Sequence, residues 1–174
     1  RVPLGAKPRT AAPPAPLVVD PDGQAKGSGL EAVTICVCTF RRDSLFETLT
    51  SFLGLSALEG RAVNVVVVDN DDRDDLRAGI ARFAAGYGLP LAYVHAPARN
   101  ISIARNAALD AVTTRWAAFI DDDEVADPAW LAMLLAGHEG HHAVIGQSRA
   151  VYPAELPGWE ARCDLHSKRI SGLR

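Results

Sequence analysis

The residues best equipped for chemistry are four consecutive acids, Asp121-Asp122-Asp123-Glu124. Adjacent carboxylates repel one another unless water, hydrogen-bond donors or a cation neutralise them. Asp121 and Asp123 are hard oxygen ligands suited to Mn²⁺ or Mg²⁺, ions that commonly share their coordination with phosphate oxygens. For an arbitrary acid run a solvated loop is the simpler reading. Here the acids close an apolar stretch, Trp116-Ala117-Ala118-Phe119-Ile120, which reads as a strand buried on both faces in the middle of a parallel sheet. Ligands of open α/β sheets bind beyond the carboxyl ends of the strands, which is where such acids would stand.

The ends of two earlier apolar runs carry further candidates. Thr39 and Arg41 follow the first run and Asp69 closes the second. Arginine pairs with phosphate, and aspartate accepts from a base N–H or from ribose hydroxyls. A cation held by Asp123 would bridge a diphosphate. Arg105, beside Asn106 on a helical stretch, either faces the same edge or is an ordinary surface arginine. The first strand–helix turn, Thr39-Phe40-Arg41-Arg42-Asp43, has neither Gly-x-Gly-x-x-Gly nor Gly-Lys-Ser/Thr, which disfavours a dinucleotide fold or a P-loop.

A second constellation, His138-Glu139-Gly140-His141-His142, satisfies His-Glu-x-x-His. A zinc hydrolase using His138, Glu139 and His142 needs both histidines on one face of a continuous helix. Gly137 and Gly140 each cost about 1 kcal/mol in a helix, and strand-like sequence resumes at Ala143. The motif therefore reads as a polar loop after a helix.

The elements that must position these residues follow from periodicity. Val33 to Thr39 is a β-branched and apolar run, Val63 to Val68 reads as a second apolar strand, and Leu91 to His95 as a short third one. Between them, Ser44-x-x-Glu47 is a capping box opening a helix striped by Leu45, Leu49, Phe52 and Leu53. Leu76, Ile80 and Phe83 stripe a second helix that ends near Gly86 and Gly88. Ala98 to Val112 is a third, with Ile101, Ala104, Ala108, Leu109 and Val112 able to pack inward. Asp127-Pro128 caps a fourth, running to about Ala136. Ala143 to Tyr152 returns to strand character. Four strand–helix alternations predict an α/β fold, a mostly parallel sheet with helices on both faces.

Composition narrows the partners. A net charge of -3 and a pI near 5.9 argue against nucleic acid as the partner. No apolar run reaches the length of a bilayer span and no signal-peptide pattern opens the chain, which still permits peripheral membrane association. Cys36, Cys38 and Cys163 are odd in number, which points to reduced thiols, and the first two share one face of a strand and read as core. Residues 1–30 are rich in Pro, Ala and Gly and read as a flexible leader.

Val-Thr-Ile-Cys-Val-Cys-Thr-Phe-Arg-Arg, Val-Val-Val-Val-Asp-Asn-Asp, Asn100-x4-Arg105-Asn106 and Phe-Ile-Asp-Asp-Asp-Glu occur in the order and spacing of family 2 glycosyltransferases, which the chain resembles over residues 33–153. The wording of the last two is most similar to the succinoglycan-type glucosyltransferases. The resemblance implies a Rossmann-like GT-A nucleotide-sugar-binding sheet and an inverting transfer from a UDP-sugar, with UDP-glucose the favoured donor. It also implies a glycan or lipid-linked saccharide acceptor, in bacterial exopolysaccharide biosynthesis at the cytoplasmic side of the cell membrane. Thr39 and Arg41 would lie against the nucleotide, Asp69 would accept from the uracil, and Arg105 would join the same pocket. Asp121 would contact ribose or diphosphate, with Asp122, at the variable position of the motif, beside it. Asp123 would hold the divalent cation, Mn²⁺ or Mg²⁺.

The expected organisation is then a leader over 1–30, a nucleotide-sugar-binding domain over 31–153 and the start of an acceptor-side region over 154–174. Glu155, Glu160 and Asp164 lack the context of a catalytic base, so the base is expected beyond Arg174 and the chain, beginning at Arg1, reads as a fragment with little or no turnover of its own. The competing non-enzymatic reading is a metal-binding, nucleotide-sensing α/β module. It leaves Thr39-Phe40-Arg41 and Asn100 to Asn106 unexplained, and no lysine lies between Lys26 and Lys168 to complete a receiver-like site.

Overall fold

Three largely apolar runs make the centre of the sheet. In a computed structural model, which describes residues 17–19, 32–56, 61–138, 141–152, 164 and 167, they are β2 (Val33–Thr39), β3 (Val63–Asp69) and β4 (Leu91–His95). With β1 (Leu17–Val19) and β5 (Trp116–Asp121) they form one sheet in the order β1-β4-β3-β2-β5. β2, β3, β4 and β5 are mutually parallel and β1 runs antiparallel along β4. The register pairs Thr39 with Asp69, Asp69 with His95, and Cys38 with Asp121. The polar ends of four strands therefore stand side by side on one edge.

Helices cover both faces. On one, α3 (Ile101–Ala111) lays Ala104 and Ala108 against Cys36, Val66, Val68 and Val94. The small side chains let helix and sheet approach closely. On the other, Ile35, Val37, Val65, Val67 and Tyr93 are buried beneath α1 (Leu45–Ser51) and α2 (Arg77–Tyr87), which contribute Leu45, Leu49, Ile80 and Ala84. Phe46 and Phe83 join the two helices at 5.8 Å between ring centroids, and the Arg77 guanidinium sits 4.8 Å over the Tyr93 ring. α2 ends at Gly88, whose φ of 63° is the left-handed cap that glycine adopts without steric cost.

The chain steps outward from β2 to β3 to β4, and α3 then carries it back across the sheet to β5 on the far side of β2. That reversal places a crevice at the carboxyl ends of β2 and β5, the position where open α/β sheets take their ligands.

Several expectations give way. β5 is an edge strand, paired with β2 alone among the described residues, and its side chains alternate in exposure, with Phe119 at 40%. An apolar run does not reveal how many neighbours a strand has, so burial on both faces did not follow. Ser44 occupies the N-cap of α1, yet its side chain makes no capping bond, because the hydroxyl is engaged elsewhere. α3 begins at Ile101, after Asn100, whose side chain accepts from the Ser102 N–H; Ile101 and Leu109 turn outward, 51% exposed each. Leu17–Val19, within the expected leader, pair as a strand.

The chain divides into two compact units, 1–128 and 129–174. The second holds α4 (Trp130–Ala136), which starts after Ala129 with no side-chain cap rather than at Pro128. Residues 143–152 form no strand, only an isolated bridge at Ser148; Gly146 approaches Leu134 and Trp130 so closely that a Cβ there would lie 3.4 Å from Leu134 Cδ2. Among the described residues no helix is long and apolar enough to cross a membrane.

Candidate functional site

The crevice between β2 and β5 is organised by the middle acid. Thr39 Oγ1 donates to Asp122 Oδ2 at 2.7 Å and Ser44 Oγ donates to the Asp122 carbonyl at 2.8 Å. Asp122 is thereby drawn inward and buried. The Glu124 N–H donates to the Asp121 carbonyl and the Asp121 N–H donates to Glu124 Oε2, which closes the turn, and Asp121 and Asp123 are left pointing outward with about half of each side chain exposed. Two cationic elements meet them. Arg42 Nη1 lies 3.3 Å from Asp123 Oδ2, and Arg105 Nη2 lies 3.4 Å from Asp121 Oδ1.

A second layer of pairs borders the end of β3. Arg41 grips Asp71 with two prongs, Nε to Oδ2 and Nη2 to Oδ1, each 2.8 Å. This geometry holds the Asp71 carboxyl well below the usual carboxylate range, because the guanidinium hydrogen-bonds and stabilises the charged form. Arg99 pairs with Asp72, and Arg99 and Arg41 both adopt left-handed backbone, φ 47° and 55°. That conformation costs a non-glycine residue about 1–2 kcal/mol, and the pairs to Asp71 and Asp72 hold it in place. His95 Nε2 lies 2.8 Å from the Asp71 carbonyl.

Asp69 is buried at 2% exposure. Its Oδ1 accepts from the Asp71 N–H at 3.0 Å, and the Tyr93 hydroxyl lies 2.8 Å from its Oδ2 and 2.8 Å from Asp74 Oδ1. Burial, with those two carboxylate partners, pushes the Tyr93 hydroxyl far above its ordinary pKa.

An open cleft of about 420 Å³ occupies the crevice. Cys38, Thr39 and Asp122 line its depth, Phe40, Ile101 and Ala104 add apolar wall, and Asn70, Arg42 and Arg99 supply polar groups. Of the residues singled out from sequence, Thr39 and Asp122 line this cleft. Asp123 is joined to it through Arg42, and Asp121 and Arg105 pair beside it. Arg41 and Asp69 are committed to partners in the loop after β3. Sequence reasoning passed over Arg42, Asn70 and Arg99. Their only signal was adjacency to Arg41, Asp69 and Asn100.

Among the described residues no group of three or more His, Cys, Asp or Glu side chains is arranged to hold a metal by itself. Mn²⁺ and Mg²⁺ bound to a diphosphate need one or two protein carboxylates, with phosphates and water completing the shell. Asp123, outward and half exposed beside the cleft, fits that demand. The His-Glu-x-x-His motif does not fit zinc: α4 ends at Ala136, His138 lies in the following turn with its Nδ1 against the Leu135 carbonyl, and the two histidines share no helix. Glu139 lies outside the described residues.

Comparison with known proteins bears on the family and the fold. Residues 34–171 match the family described as Glycosyl transferase family 2. The chain is 41% identical over 137 residues to the succinoglycan biosynthesis protein ExoM of Rhizobium meliloti strain 1021, covering 78% of this chain and 44% of that protein. It therefore spans less than half the length of this curated relative. Among solved structures it resembles S. aureus TarS 1-349 in complex with UDP-GlcNAc, with a TM-score of 0.50 and 22% identity over 64% of this chain and 32% of the other. It also resembles the mannosyltransferase PcManGT of Pyrobaculum calidifontis in complex with GDP-Man and Mn²⁺, with a TM-score of 0.50 and 25% identity over 59% of this chain and 31% of the other.

Proposed function

We propose, from the premise that this chain belongs to glycosyl transferase family 2, that it forms the donor-binding part of an inverting enzyme that transfers a sugar from a UDP-sugar, UDP-glucose by preference, to a glycan or lipid-linked saccharide of a bacterial exopolysaccharide. One observation carries the reading. At the switch point of the sheet Thr39, Arg42 and Asp122 line one cleft, and the outward acids Asp121 and Asp123 stand beside it, paired with Arg105 and Arg42. Acids for a cation and guanidinium groups for phosphate at a single strand edge are what a nucleoside diphosphate with a divalent ion requires.

In this reading Thr39 and Asp122 set the shape of the cleft and Asp121 contacts ribose or diphosphate. Arg105 faces the phosphates. Arg41 acts through the loop it clamps with Asp71. Asp69, with both oxygens already accepting, holds the floor at the base and offers its remaining lone pairs to the uracil N–H. Asp123 would hold the divalent cation, which when bound would supply positive charge against the UDP leaving group as its bond to the anomeric carbon breaks. The acceptor hydroxyl attacks from the face opposite the diphosphate and must lose its proton to a carboxylate. The enzyme is placed on the cytoplasmic side, in peripheral contact with the membrane that carries its acceptor.

Calorimetric titration of UDP into the chain, with Mn²⁺ and then with EDTA, tests the site. The expected result is binding that needs the metal and is lost in Asp123→Ala. Equal binding by that variant, or none by a parent chain shown to be folded by circular dichroism, would overturn the reading.

A further inference from the structure

Arg41 and Arg42 are neighbours in sequence with opposite circumstances. Arg41 is locked by two 2.8 Å bonds to Asp71, a carboxylate with 11% side-chain exposure. Arg42 makes a single 3.3 Å contact to Asp123, both side chains being about half exposed, and it also lines the cleft beside Thr39 and Asp122. Exposed single-contact pairs are weak and their side chains are free to leave. The first arginine is a clamp and the second is held by one exposed contact.

Resting on the assignment of Asp123 to the cation, we infer that Arg42 is an exchangeable counter-ion of that site: it neutralises Asp123 until a divalent ion takes the carboxylate, and then turns its guanidinium to the diphosphate in the cleft. The physical argument is competition for one carboxylate. A divalent ion on Asp123 would lie within a few ångströms of the guanidinium, and the two positive charges repel. Arg42 therefore opposes binding of the metal alone. A diphosphate reverses this, because its oxygens attract both cations and a guanidinium bonds them in a planar two-pronged fashion. The outcome is coupling: metal and diphosphate each favour the other's binding, and by linkage the factor is the same in both directions. A nucleotide carrying one phosphate should benefit far less, since the second phosphate is the group that Arg42 and the cation share.

The test compares the parent chain with Arg42→Gln and Arg42→Lys, two substitutions on an exposed side chain that leave the core untouched. Free Mn²⁺ is measured by its paramagnetic resonance signal without nucleotide, and UDP and UMP binding is measured by calorimetry at saturating Mn²⁺. In Arg42→Gln, Mn²⁺ alone should bind about two- to fivefold more tightly, the scale of an exposed ion pair. UDP should bind about tenfold more weakly, as for loss of a charge-assisted bond, and the preference for UDP over UMP should shrink. Arg42→Lys keeps the charge and should restore the metal affinity of the parent while recovering only part of the UDP affinity. Opposite shifts for metal and UDP are what a merely structural arginine would not produce. Metal and UDP affinities that both stay unchanged, or that fall together in Arg42→Gln, would overturn the inference while leaving the donor site standing. If the parent chain binds no UDP under either condition, the donor-site reading fails and this one with it.

Discussion

Thr39 donates its hydroxyl proton to Asp122 at 2.7 Å, tying the end of β2 to the turn after β5 across 83 residues of sequence. Both side chains are buried, so this bond works in a low-dielectric setting where an unmade bond is costly. It also divides the labour within the acid run. The middle acid faces inward and builds the cleft, and its two neighbours face out towards the arginines.

Thr39→Val keeps the shape of the side chain and removes the donor. Asp122 is then left with a buried, underpaired carboxylate, at a cost of about 1–3 kcal/mol. Urea denaturation should show a lowered midpoint with an unchanged slope, and Thr39→Ser should recover most of the loss. A valine variant as stable as the parent would mean that water replaces the hydroxyl.

Tyr93→Phe removes the hydroxyl that lies between Asp69 and Asp74. The expected loss is again about 1–3 kcal/mol, since two carboxylate oxygens lose a partner. Tyr93 has a raised pKa in the folded protein, so its contribution is complete below the ordinary tyrosine value near 10 and is lost as pH rises beyond it. Melting curves of parent and variant should therefore be well separated at neutral pH and draw together in strong alkali.

Arg41→Gln releases Asp71. The depressed carboxyl of the parent stabilises the fold above the unfolded-state value near 3.9, and that stability is lost as pH falls towards the folded-state value. The variant should be less stable at neutral pH, with the gap narrowing below about pH 4. A gap that stays constant into acid would assign the effect to backbone strain at the left-handed position instead.

Burial pushes the Cys36 thiol up to about 12, helped by Cys38, and the Cys38 thiol up to about 11. Both should stay protonated and react sluggishly with iodoacetamide at neutral pH, because the thiolate is the nucleophile. Cys38 lines the cleft and Cys36 is fully enclosed. Peptide mapping should find Cys38 labelled first, and UDP with Mn²⁺ should slow that labelling while leaving Cys36 as it was. Equal rates at the two positions would contradict the burial order.

What the sequence revealed was whatever depends on runs and order. Val33 to Thr39 and Leu91 to His95 form strands over the anticipated residues, and the pairing of Cys36 and Cys38 on one core face follows from the period of two. The acid-ended strand does end at Asp121, opposite Cys38 at the carboxyl edge of the sheet. What stayed hidden depends on neighbours far away in sequence. Ser44 had the pattern of a capping box, but the Asp122 carbonyl, 78 residues distant, takes its hydroxyl. The sequence favours Arg41 over Arg42, yet the loop fixes Arg41 on Asp71 and leaves Arg42 in the cleft against Asp123. Ala143 to Tyr152 had strand-like residues, but Ser148 makes an isolated bridge, and a single bridge is not a strand.

The pairing of β5 bears on how the acid turn will behave. The strand that carries it is laddered to β2 from Val33 to Cys38, so the turn is anchored to the centre of the sheet instead of riding on a surface loop. Amides of β5 directed at β2 should therefore exchange with deuterium about as slowly as those of β2 itself.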